Sequence, residues 1–120
     1  MFHLRAIEQL PDVSVKAVLD VDEVRMREAQ IESGAEKAYN RSDDFFQDPD
    51  IDAVAINTPP RFHEELTLKA LEQGMNVLCE KPLAETIEGC LTIQDAQEST
   101  GLIVLPAHNY RFTPSLNLME

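Results

Sequence analysis

Tryptophan is absent, glycine and cysteine are sparse at four and two residues, and lysine and arginine together number ten against 22 acids. Each scarcity excludes something. A formal net charge of -12 repels phosphate backbones and anionic membrane surfaces, and the ten cations are scattered, so nucleic-acid binding is not expected. An acidic surface of this kind serves solubility, with a salt-adapted source as the other reading. No run approaches the roughly 20 apolar residues that a membrane-spanning helix needs. No basic segment followed by an apolar one precedes the first periodic stretch, so a signal peptide is not expected and the chain reads as cytoplasmic. Cys79 and Cys90 match no metal-ligand spacing and fall in apolar segments, which makes them reduced core residues. The three histidines lie on separate elements without partner spacing, so no metal site is expected. The glycines, at 34, 74, 89 and 101, form no closely spaced run.

What the chain does have is alternation. Leu4, Ile7 and Leu10 recur at helical spacing and stop at Pro11, which reads as the second half of an amphipathic helix. Val13 to Leu19 reads as a strand ending in Asp20. Asp22 then caps a helix that Gly34 closes, and Ser42 caps a short turn through Phe45 and Phe46. After the break at Asp48-Pro49-Asp50, the apolar run Ile51 to Ile56 suits a buried parallel strand. Asn57-Thr58-Pro59-Pro60 turns the chain into a helix with Phe62, Leu66 and Ala70 on its apolar face, closed by Gly74. Asn76 to Cys79 is the next strand. Thr86 caps a helix carrying Ile87, Cys90, Leu91 and Ile93, and Leu102 to Leu105 is the last strand. Short apolar strands alternating with helices of about a dozen residues predict an α/β fold with a doubly wound parallel sheet.

In such a sheet, ligands bind outside the carboxyl ends of the strands. Those positions are polar here: Asp20, then Asn57-Thr58, then Glu80-Lys81, then His108-Asn109. A carboxylate at Asp20 can accept the hydroxyl hydrogens of an adenosine ribose while repelling a 2'-phosphate, which favours NAD over NADP. The alternative is that Asp20 only caps the following helix, a task for which Asp22 is better placed.

Three segments carry a resemblance. Asp52-Ala53-Val54-Ala55-Ile56-Asn57-Thr58-Pro59-Pro60 with His63, then Glu80-Lys81-Pro82, then Asn109-Tyr110-Arg111-Phe112 with Pro114, together resemble the signatures of the Gfo/Idh/MocA family of NAD(P)-dependent sugar and polyol oxidoreductases. The likeness runs over nearly the whole chain. It implies a Rossmann-type dinucleotide-binding domain. It also implies that Lys81 lies beside the nicotinamide, where an ammonium can hydrogen-bond a substrate hydroxyl as hydride leaves its carbon. By the same resemblance Glu80 contacts the nicotinamide ribose, and Pro82 follows a cis peptide that aims Lys81 into the cleft. Asn57, Thr58, Pro59 and His63 line the passage of the cofactor, and Arg111 closes its nicotinamide end. Other readings stand beside these. Pro59 and Pro60 also start a helix, His63 can be a partly buried helix residue without a ligand, and Arg111 can pair with a surface acid. His3 and His108 read as structural.

The family's pattern also contains what this sequence lacks. Its glycine-rich loop lies roughly 20 residues before the acidic strand end, which from Asp20 falls at or before Met1. The domain is therefore expected to lack its first strand and its pyrophosphate-binding loop, and residues 1-120 to form an incomplete Rossmann domain without the substrate domain that follows in the family. Five or so unburied apolar side chains amount to on the order of 10 kcal/mol, comparable to the whole stability of a domain. The two strands flanking the gap are thus expected to pair directly, or to take a strand from another chain, giving a homo-oligomer or strand exchange. The function expected is that of an oxidoreductase fragment, weakened in cofactor binding and inactive alone. The alternative is a non-catalytic module, either a cofactor sensor like the yeast galactose repressor or an assembly partner. Lys81 within Glu80-Lys81-Pro82 argues for the enzyme.

Overall fold

The computed structural model describes residues 2-107, with side chains from residue 5 onward. The predicted Asn109, Arg111 and Pro114 and both structural histidines, His3 and His108, lie outside that description. Five helices and five strands alternate over the described residues: α1 (Phe2–Glu8), β1 (Ala17–Leu19), α2 (Glu23–Ser33), β2 (Lys37–Tyr39), α3 (Ser42–Phe46), β3 (Ala53–Ile56), α4 (His63–Glu72), β4 (Asn76–Glu80), α5 (Ile87–Thr100) and β5 (Val104–Ala107). All ladders are parallel, as expected, but they fall into two sheets, β1-β2 and β3-β4-β5. The chain divides correspondingly into two compact units, Met1–Ile51 and Asp52–Glu120.

In the first unit β1 begins at Ala17, so the β-branched run from Val13 overstates the strand. The residues from Val13 to Lys16 lie outside the ladder, whose register runs from Ala17↔Lys37 to Leu19↔Tyr39. Asp22 caps α2 by accepting from the Val24 and Arg25 amides at 2.9 and 3.1 Å, and Gly34 ends it at φ 70, where a side chain would be strained. Strand β2 carries too few apolar residues to be read from periodicity. It is held instead by a polar anchor. Asp48 is buried, and its carboxylate accepts from Lys37 Nζ at 3.1 and 3.0 Å, from the Tyr39 hydroxyl at 2.8 Å and from the Asp50 amide at 2.9 Å. Edge-to-face contacts of Tyr39 with Phe45 and of Phe45 with Phe46 close the apolar side of the anchor. Ser42 was expected to cap α3; the helix instead starts at Ser42, with Arg41 in the cap position and no side-chain cap bond there.

In the second unit β4 is central and alternates half-buried and buried positions, with Val77 and Cys79 pointing into the core. Strand β3 is not the buried strand expected, since Ala53 and Ala55 are exposed and among the described residues its one ladder is with β4. A single 3-10 turn over Pro60–Phe62 rotates the entry of α4. As a result His63, Thr67, Ala70 and Leu71 face the core, while Phe62 is 40% exposed, so the apolar face lies one residue later than predicted. On α5 the buried positions are Gly89 and Ile93, and Ile87 and Leu91 are exposed. Gly89 explains the shift: a β-carbon there would come within 2.7 Å of Glu64 Oε2 and 3.0 Å of Ala84 Cβ, so α5 approaches its neighbours through a glycine. Among the described residues β1 pairs with β2 alone and β3 with β4 alone, each packed on the helix that follows it.

The Asp48 anchor makes a testable statement about acid stability. The Asp50 amide, the Lys37 ammonium and the Tyr39 hydroxyl hold the Asp48 carboxyl at about 2, below its ordinary 3.8, and the same contacts raise Lys37 and Tyr39. A depressed carboxyl contributes stability that is present above pH 3.8 and is lost as pH falls towards about 2. Asp48→Asn is therefore expected to unfold at lower temperature than the wild type at neutral pH, with the difference closing across that window. Circular dichroism melts at a series of pH values check this, and a difference that stays constant down to pH 2 would overturn it.

Candidate functional site

In the second unit three parallel strands bring their carboxyl ends to one rim. The register pairs Ile56 with Cys79 and Glu80 with Ala107, so the chain leaves β3 at Asn57 beside the place where β4 ends in Glu80. Asn57, Thr58 and Pro59 are exposed on that rim, as are Lys81 and Pro82, and Glu80 is half-buried. The Lys81–Pro82 peptide is cis. The structure thus brings together Asn57, Thr58, Pro59, Glu80, Lys81 and Pro82, as the sequence predicted. Loop and strand chemistry explain why: Pro59 and Pro60 cannot continue the β3 ladder, and Pro82 ends β4 by denying it a donor.

His63 sits beneath this rim. It is the first residue of α4 and is fully buried, with Nε2 2.7 Å from the Thr58 carbonyl oxygen and Nδ1 2.7 Å from the Pro82 carbonyl oxygen. Both ring nitrogens therefore face the backbone of the two rim turns. Neither the completeness of this burial nor the two backbone partners can be read from a lone histidine near a helix start. Below the rim Cys79 is buried, and burial pushes its thiol up. Thr86 caps α5 through the Gly89 amide at 2.9 Å, fixing where the chain goes after Lys81.

Asp20 lies in the first unit, at the carboxyl end of β1, and is described there by itself. Its Oδ1 accepts from the Asp22 amide at 2.9 Å and from Arg25 Nη2 at 3.3 Å, while Asp22 caps the helix as expected. The side chain is 31% exposed. Arg25, one turn into α2, was not foreseen as its neighbour. A cation five residues after a strand-end carboxylate is the signal that could have found it.

Residues 1–108 match the family described as an oxidoreductase family with an NAD-binding Rossmann fold. The chain belongs to the Gfo/Idh/MocA family. Over 101 residues it is 37% identical to an inositol 2-dehydrogenase of Ralstonia nicotianae, a match that covers 82% of this chain and 30% of that protein. The crystal structure of a myo-inositol 2-dehydrogenase from Lactobacillus plantarum superposes with a TM-score of 0.88 at 28% identity, covering 98% of this chain and 35% of that one. A dehydrogenase from Chromobacterium violaceum, in complex with NADH and UDP-GlcNAcA, gives a TM-score of 0.92 at 25% identity over 98% of this chain and 34% of that one. The chain thus spans about a third of the length of the relatives it matches, and the Gfo/Idh/MocA assignment describes that N-terminal third. Among the described residues no helix is long and apolar enough to cross a membrane.

Burial of Cys79 on β4, the middle strand of the three-stranded sheet, predicts its reactivity. A soluble thiol reagent at neutral pH should modify the half-buried Cys90 well before Cys79, with both reacting equally fast in denaturant. Peptide mapping of the labelled chain decides it, and early labelling of Cys79 in the native chain would contradict the packing of β4.

Proposed function

We propose that this chain is the dinucleotide-binding part of an NAD(P)-dependent oxidoreductase that moves hydride between a hydroxyl-bearing carbon of a sugar, inositol or related polyol and the cofactor. The observation that carries the reading is Lys81 and Thr58-Pro59 exposed together on one rim, at the ends of adjacent parallel strands. The groups on that rim suit the ligand: hydrogen-bonding side chains at Asn57, Thr58 and the half-buried Glu80, and a flat apolar surface at Pro59 and Pro82. Bound there, the nicotinamide supplies the acceptor for hydride. The remaining roles fall to the protein. Asp20 accepts the ribose hydroxyls and repels a 2'-phosphate, which favours NAD over NADP. Thr58 and Pro59 form the wall along the cofactor with His63 buried behind them, Glu80 accepts from the nicotinamide ribose, Pro82 sets the turn, and Arg111 closes the nicotinamide end. Lys81 donates to the substrate hydroxyl and stabilises the developing alkoxide, a contribution of roughly 10²- to 10⁴-fold for a positioned proton-handling group.

A second reading, an assembly role, has its own observation. β1 and β3 each have one ladder partner among the described residues, which leaves two parallel edges able to accept a strand. The two readings are compatible, and the same edges support association with a second copy or with a further strand.

Calorimetric titration with NADH and with NADPH tests the first reading. Binding of NADH with NADPH weaker is expected, and no heat with either at millimolar concentration would leave only the assembly role. In the complete enzyme Lys81→Met should lower kcat by about 10²- to 10⁴-fold while NADH still binds. Sedimentation velocity tests the edges: the chain should sediment as more than a monomer, and Ala55→Lys, which puts a charge on the exposed face of β3, should shift it towards the monomer. A stable, folded wild-type monomer would end the association proposal.

A further inference from the structure

The two contacts of His63 are with carbonyl oxygens, and a carbonyl oxygen can only accept. A neutral imidazole carries one N–H and one lone pair, so it can donate to one of these partners and must turn its lone pair on the other. At 2.7 Å both contacts are at the short end of the range for N–H···O bonds, where charge-assisted bonds are found, and are too close for two oxygen and nitrogen lone pairs to face each other in a buried site. A ring carrying hydrogen on both nitrogens satisfies both oxygens.

The partners' positions give the contacts their meaning. Thr58 belongs to the turn leaving β3 and Pro82 to the turn leaving β4, and Lys81 lies directly before Pro82. We propose that His63 is a positioning residue: its ring, donating through both nitrogens, cross-links the Thr58 turn to the Lys81-Pro82 turn and fixes Lys81 relative to Thr58 and Pro59. The cross-link stands on geometry alone. Its use in aligning Lys81 with a bound dinucleotide rests on the function proposed above. The ring does not need to touch the ligand to act, and its full burial leaves it no surface for doing so. Its effect passes through two backbone carbonyls, which no neighbouring side chain can replace without entering the same closed space.

Long-range proton-nitrogen correlation spectra of the full chain labelled at histidine test the cross-link, with His3→Gln and His108→Gln used to assign the remaining ring. Both His63 nitrogens should resonate as protonated nitrogens at neutral pH. One nitrogen with the shift of a bare lone pair would overturn the proposal, and this measurement needs no folded variant. His63→Phe fills much of the same space without donors, and His63→Gln keeps one donating group. In His63→Phe the amide signals of Thr58, Arg61, Lys81 and Leu83 should move while those of Val77 and Leu78 in the sheet stay. In the complete enzyme kcat/KM should fall about 10²-fold, the scale of a misplacement near 1 Å, chiefly through kcat, with His63→Gln between the two. Equal NADH affinity and equal kcat in wild type and His63→Phe would refute the positioning role. A doubly protonated ring in a chain that gives no heat with NADH would instead uphold the cross-link and sink the dinucleotide reading.

Discussion

The parallel ladder between β3 and β4 is the constraint on which the site depends. Four residue pairs, from Ala53↔Asn76 to Ile56↔Cys79, set the register, and the register decides which turn residues meet at the rim. A slip of one residue would turn Val77 and Cys79 out of the core and exchange Lys81 for a neighbour beside Asn57. Burial of Val77 and Cys79 on one face of β4 makes such a slip costly, at about 1.5 to 3 kcal/mol for each large apolar side chain exposed. The chemistry on the rim is therefore held in place by apolar residues that take no part in it.

Much of this was legible in the sequence, and the parts that were not share a cause. The strands with apolar runs, β3, β4 and β5, were found within two residues because alternation and turn residues bound them. The rim residues followed, since a parallel sheet dictates where each strand's next residues go. Strand β2 was missed because Lys37-Ala38-Tyr39 is held by polar contacts to Asp48 rather than by an apolar face. The faces of α4 and α5 were misjudged for a related reason. A 3-10 turn after Pro60 rotates α4 so that a histidine and a threonine point inward, and α5 approaches through Gly89, a residue with no side chain to announce burial. Hydropathy finds cores made of hydrocarbon and is blind to contacts made by glycine, by ion pairs or by an imidazole.

The separation of the strands into two sheets bears on the energetics of the chain. Each unit has its own small core, built on Met26, Phe45 and Phe46 in the first and on Leu71, Met75, Val77 and Ile93 in the second. Among the described residues β4 is the one strand flanked by ladders on both sides. Edges of this kind carry unpaired amides and carbonyls, which favour the addition of a strand whenever one is supplied. Within each unit the helix that follows the strand packs on its own sheet, α2 on β1 and α4 on β3.

Asp48 and His63 show how a small domain uses polar burial. Each is a buried ionisable side chain, and each is surrounded by groups of the opposite hydrogen-bonding sense: donors around the carboxylate, acceptors around the ring. An unpartnered polar group in either place would cost about 1 to 3 kcal/mol, so the arrangement is tolerable only with every contact made. That requirement converts a chemical need into a geometric one. Asp48 is satisfied only when β2 and the turn before β3 take one relative position, and His63 only when the turns after β3 and β4 do. An apolar residue would fill either space with less risk, but it would tolerate small displacements of the backbone. A ring with a carbonyl at each nitrogen does not, and one of those carbonyls belongs to the turn that carries Lys81.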